Sequence, residues 1–247
     1  MSLDKLQKQR FELKYHITEH KAQLLRYFVQ NYLKLDEYGA TQPDLSYPVH
    51  SLYLDSPDFK TYHDTINGDR NRIKLRVRYY EDEARDTVFL EKKRRYDRVI
   101  AKKRAELPKA VLEELVNGVF PTIDHLVHKT EEQLSALIDI WRLINEINAR
   151  PKVHVAYMRE AYELNSSNAV RVTFDRHVTT EYVNDFRLST KQNNPVTVFP
   201  SVILEIKFTN RYPHWLNEMT QLFQLHRESA AKYVDGINTM KHKKIIA

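Results

Sequence analysis

In the stretch Ile73-Lys74-Leu75-Arg76-Val77-Arg78 every second residue is cationic and every residue between is apolar. A period of two belongs to a β-strand, so Lys74, Arg76 and Arg78 share one face while Ile73, Leu75 and Val77 line the other. The apolar face requires a core. The opposite face lines up like charges that repel one another, so a chain repeating this arrangement in other strands gathers them around something strongly anionic. Phosphate is the natural candidate.

The arrangement is repeated. Eight segments alternate with period two and are predicted as strands near residues 10 to 17, 49 to 55, 72 to 80, 87 to 96, 99 to 107, 152 to 163, 169 to 178 and 201 to 208. Phe11, Leu13, Tyr15 and Ile17 oppose Arg10, Glu12, Lys14 and His16; Val170, Val172 and Phe174 oppose Arg171, Thr173 and Asp175; Val202, Leu204, Ile206 and Phe208 oppose Glu205 and Lys207. Helical spacing lies between them. Thr18 caps a run carrying Ala22, Leu25, Phe28 and Val29, and Ser56-Pro57 opens a shorter helix ending before Gly68. Thr130-Glu131-Glu132-Gln133 has the pattern of a capping box ahead of Leu134, Leu137, Ile138, Trp141 and Ile144. Further helices carry Trp215, Met219, Leu222 and Phe223, and then Lys232 and Tyr233. Glu81 to Asp86 and Tyr96 to Arg98 read as hairpin turns, and Asp185 to Pro195 as a polar loop. No flexible linker interrupts the pattern, which predicts one α+β domain over residues 1–247, its amphipathic helices covering the apolar strand faces.

Composition narrows the chemistry. The chain has 39 Lys plus Arg against 33 Asp plus Glu, a formal charge of +6, so anionic partners are favoured. Four glycines exclude a Gly-rich phosphate loop, and phosphate must be held by side chains. With no cysteine there are neither disulfides nor thiolate metal sites. No run of 18 apolar residues or signal-peptide core is visible, and the chain reads as cytoplasmic, reaching the inner face of a membrane only through a partner. No histidine pair has metal spacing; His125 and His128, three apart, are expected on a helix surface. Most of the 15 Tyr and 10 Phe fall on apolar faces, which suits a core better than base stacking and argues against nucleic acid.

The carboxylates sharpen the reading. Glu12, Glu91, Asp175 and Glu205 fall on the same faces as Lys14, Lys93, Arg171 and Lys207. Cations bind phosphate oxygens, while Glu12, Glu91 and Glu205 are the carboxylates to hold Mg²⁺ or Mn²⁺ bridging phosphates.

The segments Ser51-Leu52-Tyr53-Leu54-Asp55, Leu75-Arg76-Val77-Arg78-Tyr79-Tyr80, Phe89-Leu90-Glu91-Lys92-Lys93, Met158-Arg159 and Leu204-Glu205-Ile206-Lys207, in this order, resemble the catalytic domain of the vacuolar transporter chaperone (VTC) polyphosphate polymerases over about residues 8 to 240. That family belongs to the triphosphate tunnel metalloenzymes, the CYTH-like superfamily. The resemblance implies an eight-stranded antiparallel β-barrel with a polar, basic lumen. It makes Arg76, Arg78, Lys93 and Arg159 look like the catalytic cations, with Lys232 closing one mouth of the tunnel. Lys102, Arg104, Arg171, Lys14 and Lys207 look like phosphate ligands, beside Lys74 on the strand described first. Glu205 resembles the metal-holding glutamate.

The function implied by the resemblance is that of a metal-dependent phosphotransferase moving the ATP γ-phosphoryl group to a polyphosphate chain. The alternatives are an inorganic triphosphatase on the same fold and a non-catalytic binder of polyphosphate or nucleic acid. Triphosphatases and class IV cyclases of the superfamily open with Glu-x-Glu-x-Lys, whereas this chain reads Arg10-Phe11-Glu12-Leu13-Lys14, which weakens the hydrolase reading. The sequence shows neither the SPX domain nor the membrane helices that accompany the eukaryotic polymerase, so a separate membrane protein is an expected partner.

Overall fold

A computed structural model describes residues 10–80, 86–97, 99–164, 167–209 and 211–246. The expected hairpin turns lie partly outside the described residues, at 81–85 and at Arg98, as do the first nine residues of the expected domain.

In chain order the elements are β1 (Arg10–Ile17), α1 (Glu19–Val29), β2 (Lys34–Leu35), α2 (Glu37–Ala40), β3 (Tyr47–Asp55), α3 (Lys60–Ile66), β4 (Asn71–Tyr80), β5 (Thr87–Tyr96) and β6 (Val99–Pro108). Then come α4 (Val111–Val116), a 3₁₀ turn (Ile123–His125), α5 (Glu131–Glu146), β7 (Arg150–Leu164), β8 (Ser167–Tyr182), β9 (Val196–Phe199), β10 (Val202–Thr209), α6 (His214–Leu222) and α7 (Lys232–His242). All eight expected strands are present. The additional β2, β9 and α2 are too short to show a period.

The chain forms two compact units. The first takes residues up to Tyr47, Tyr157–His177 and Phe199–Ala230. In it β1 pairs antiparallel with β10 and β10 with β8, while β7 adjoins β8. Its apolar sheet face, with Tyr15, Ile17, Val172, Phe174, Leu204 and Ile206, is covered by Ala22, Leu25 and Val29 of α1 and by Leu216 and Met219 of α6. The second unit takes Pro48–Ala156, Val178–Val198 and the residues from Ala231 on. There β3, β4, β5 and β6 pair antiparallel in chain order. Leu75, Val77, Leu90, Ala105 and Leu107 pack beneath Leu112 and Leu115 of α4 and Leu137, Ile140 and Ile144 of α5. Each large side chain so buried contributes roughly 1.5–3 kcal/mol. Because helices occupy one face of each sheet, the alternating pattern commits the charged residues to the other. The pairing establishes a large antiparallel sheet with helices over its apolar face.

Caps explain where the helices begin. Thr18 Oγ1 accepts from Lys21 N at 3.2 Å and Thr130 Oγ1 from Gln133 N at 3.2 Å. The second half of the expected capping box is not formed, because Gln133 Oε1 accepts instead from Glu106 N of β6 at 3.0 Å, tying α5 to the sheet. The helix expected from Ser56-Pro57 starts four residues later. Phe59 adopts a left-handed φ of 58°, and Ser56 Oγ accepts from Lys60 N across that turn. His128 lies on no helix; it follows the 3₁₀ turn and approaches Glu106 at 3.3 Å. Leu222, expected on the apolar face of its helix, is exposed, and Leu216 and Met219 make the core contact. The polar loop after Asp185 is anchored: Phe186 and Leu188 pack against the core and Tyr79 Oη donates to Ser189 O at 2.7 Å.

Candidate functional site

In the second unit, strand register arranges the charged face in rows. Lys74 of β4, Lys93 of β5 and Lys102 of β6 are direct neighbours. The next row runs Tyr53, Arg76, Glu91 and Arg104, and the next Ser51, Arg78, Phe89 and Glu106. Glu91 organises the middle row. Its Oε2 lies 2.7 Å from Arg76 Nε, while its Oε1 lies 2.6 Å from Lys102 Nζ and 2.9 Å from Arg104 Nε. Only 1% of its side chain is exposed. Burial alone would push this carboxyl up, but Arg76, Arg78 and Lys102 hold it well below the usual carboxylate range. Arg78 is itself buried and reaches Ser51 Oγ at 3.4 Å, and the Arg104 guanidinium stacks 3.7 Å over the Phe89 ring. Lys92, between Glu91 and Lys93 in sequence, points the other way and pairs with Asp139 of α5 at 2.8 Å.

Lys232 is the first residue of α7. A lysine at the positive end of a helix dipole adds to the attraction for an anion. The helix is fixed by Tyr233, whose ring stacks on Tyr53 at 4.8 Å and whose hydroxyl donates to Asp55. Asp55 also accepts from Ser56 N, Thr61 N, Thr61 Oγ1 and Tyr62 N at 2.8–3.0 Å.

In the first unit, one row joins Glu12, Lys207 and Arg171, and the next Lys14, Glu205 and Thr173. Lys14 Nζ lies 3.1 Å from Glu12 Oε1 and 3.5 Å from Glu205 Oε2, and donates to Ala230 O at 2.8 Å. Lys207 pairs with the other oxygen of Glu205, a side chain only 6% exposed. Arg159 binds the fully buried Asp175 through Nε at 2.7 Å and Nη2 at 2.8 Å. Burial works against its charge, but Asp175 overrides it and Arg159 stays cationic well beyond its ordinary range. Arg171 reaches Asp36 and Glu163, both at 2.8 Å.

The structure thus brings Arg76, Arg78, Glu91, Lys102 and Arg104 together beside Lys74 and Lys93. It separately joins Glu12, Lys14, Glu205 and Lys207. Arg159 and Arg171 are each engaged by a carboxylate that lies outside the expected metal set. Tyr53, Asp55, Asp36 and Tyr233 have no site role in the sequence reading, although Tyr53 and Asp55 alternate along β3 just as their charged neighbours do along β4. Among the described residues no three of His, Cys, Asp and Glu are grouped to hold a metal by themselves. Both oxygens of Glu205 pair with lysines, Lys14 and Lys207, and Glu12 pairs with Lys14, so a hard cation such as Mg²⁺ held by Glu205 and Glu12 would take a place that a lysine occupies and draw most of its oxygens from phosphate and water. Glu91 is enclosed by three cations, so its oxygens are already engaged.

The model of the VTC domain matches residues 9–241. The vacuolar transporter chaperone complex subunit 4 of Trypanosoma brucei brucei is 22% identical over 228 residues, covering 79% of this chain and 29% of the relative. The same subunit of Trypanosoma cruzi is 23% identical, covering 79% and 28%. The chain therefore spans under a third of the curated relatives it matches. A crystal structure described as a candidate adenylate cyclase from Bacillus halodurans superposes with a TM-score of 0.51 at 11% identity, covering 90% of this chain and 94% of the other, which is a likeness of fold. Among the described residues no helix is long and apolar enough to cross a membrane. With its charged strand faces and a match running through both units, this chain belongs to the VTC domain family.

Proposed function

We propose that the protein is a polyphosphate polymerase-like phosphotransferase, moving the γ-phosphoryl group of ATP onto the end of a polyphosphate chain. One observation carries this: the register places Lys74, Lys93 and Lys102 side by side next to Arg76, Glu91 and Arg104. Like charges directly opposite one another in a sheet are unfavourable, and a ligand with a negative charge on every unit offsets that along its length.

In this reading the terminal oxygen of the polyphosphate attacks the γ-phosphorus, the bond from that phosphorus to the β,γ-bridging oxygen breaks, and ADP departs. Arg76, Arg78, Lys93, Lys102 and Arg104 hold donor and acceptor phosphates in line, and Lys232 binds the chain from the start of α7. Glu91 keeps three of these cations oriented. In the first unit, Lys14, Lys207, Arg159 and Arg171 are the phosphate-binding residues that the family resemblance, with its basic barrel lumen, implies. Glu205 and Glu12 would hold Mn²⁺ or Mg²⁺, which offsets charge on the transferring phosphoryl group. No covalent nucleophile is required. The relatives are named as subunits of a complex, which supports a domain acting with a partner protein, here read as a cytoplasmic domain beside a separate membrane protein.

Purified protein incubated with ATP and Mn²⁺ tests the proposal. A ladder of long polyphosphate, lost in Glu205→Ala, is the expected result. Orthophosphate released from tripolyphosphate without polymer would make the protein a triphosphatase, and polyphosphate binding without turnover under any metal would make it a binding module.

A further inference from the structure

Tyr53 stands in the same cross-strand row as Arg76, Glu91 and Arg104. It is 7% exposed, and its ring is stacked on Tyr233 with an interplanar angle of 22°. Ring and stack need only the aromatic face. The hydroxyl is a separate matter, because a polar atom at this depth costs free energy unless it is hydrogen-bonded. It accepts from Arg76 Nη1 at 3.5 Å, and among the described residues its own proton has no acceptor. An anion oxygen seated against Arg76 and Arg78 supplies that acceptor.

We propose that Tyr53 is a direct ligand of the phosphate chain, donating its hydroxyl proton to a non-bridging phosphate oxygen held by Arg76 and Arg78. This rests on the reading of the cationic face as a phosphate site. The surroundings agree with it. Burial alone would raise the phenol pKa, but Arg76, Lys74 and Arg78 outweigh it and bring Tyr53 down to about 8, so the hydroxyl sits in a field that favours negative charge. A condensed phosphate entering that field takes the place of the phenolate and leaves the proton on the tyrosine, shared with the ligand. A rigid aromatic donor also loses little side-chain entropy on binding compared with a lysine.

Tyr53→Phe keeps the ring, the stack and the burial and removes only the donor. Calorimetric titration with tripolyphosphate near neutral pH should show binding to the wild type and affinity weaker by about tenfold or more in the variant, as expected for a hydrogen bond to a charged group. Equal affinity of the two proteins overturns the role of Tyr53 and leaves the phosphate site standing. No binding to the wild type overturns both. The unmutated protein gives a second readout: the ultraviolet absorbance of tyrosinate should show one residue ionising near pH 8, moved upward by tripolyphosphate. Titration at the same pH with and without the ligand would show that no phosphate comes near the hydroxyl, and that result also overturns the proposal.

Discussion

Tyr233 donates its phenolic proton to Asp55 Oδ2 at 2.5 Å, joining the first turn of α7 to the end of β3. The carboxylate is fully buried and also carries the backbone N–H groups of Ser56, Thr61 and Tyr62. Asp55→Ala would leave those donors and a buried phenol unpaired at once. Each buried donor left without its acceptor costs about 1–3 kcal/mol. Tyr233→Phe removes one bond from the hub and should cost about 1–3 kcal/mol. Urea unfolding of the two single variants and the double variant measures their coupling. Additive effects would show that the bond does not join the two elements.

The same hub shows what a sequence can and cannot reveal. Alternation made the strands and both their faces visible, because a period of two survives any tertiary arrangement. It could not show which strands are neighbours, so Lys74, Lys93 and Lys102 were three separate lysines until register made them a row. Lys92 and Lys93 look alike in the chain, and only the pleat separates an α5 anchor from a member of the charged face. Asp55 and Tyr233 are 178 residues apart, and no local pattern links them. Short elements such as α2 and the turn at Phe59 depend on capping contacts made at a single point, and so leave no periodic trace.

Gly236 lies in the middle of α7, where alanine would ordinarily favour the helix by about 1 kcal/mol. Here an added Cβ would sit 2.8 Å from Thr180 Oγ1 and 3.2 Å from Thr180 Cβ. Overpacking of that order costs about 1–3 kcal/mol, so the clash outweighs the propensity. Gly236→Ala should therefore lower the unfolding midpoint. Among the described residues Thr180 Oγ1 is buried without a hydrogen-bond partner, so adding Thr180→Ala should recover most of the loss. A Gly236→Ala protein as stable as the wild type would show that α7 does not pack as closely as this.

His154 is buried against His50, their ring nitrogens 3.1 Å apart, with Tyr79 Oη at 3.2 Å. Burial first, and then the proximity of His50, push its pKa down from 6.5 to about 4. The folded state thus prefers the neutral ring. Its contribution is complete above pH 6.5 and is lost as pH falls from there through about 4, amounting to about 3 kcal/mol across the window. Gln192 donates to His154 O at 2.9 Å and Tyr79 to Ser189 O, so the loop they hold should lose hydrogen-exchange protection over the same range. Unfolding free energies of wild type and His154→Gln, measured stepwise between pH 7 and 4.5, should diverge in slope by up to one proton. Parallel slopes would remove His154 as the source.

Arg76 and Arg78 stand two apart on one face of β4, each ending close to a hydroxyl, those of Tyr53 and Ser51. If that face binds condensed phosphate, tripolyphosphate must stabilise the folded protein by mass action, by about 2.7 kcal/mol at a concentration one hundred times its dissociation constant. The stabilisation should shrink as salt rises, because charge carries the contact. Removing both arginines tests whether binding depends on this face. Glu91 would keep Lys102 at 2.6 Å and Arg104 at 2.9 Å, so Arg76→Ala with Arg78→Ala does not leave a bare buried carboxylate, and the fold should survive with a modest loss of stability. The expected result in differential scanning calorimetry is a cooperative transition in the double variant whose midpoint no longer responds to tripolyphosphate. A midpoint that still rises as in the wild type would show that binding does not depend on Arg76 and Arg78.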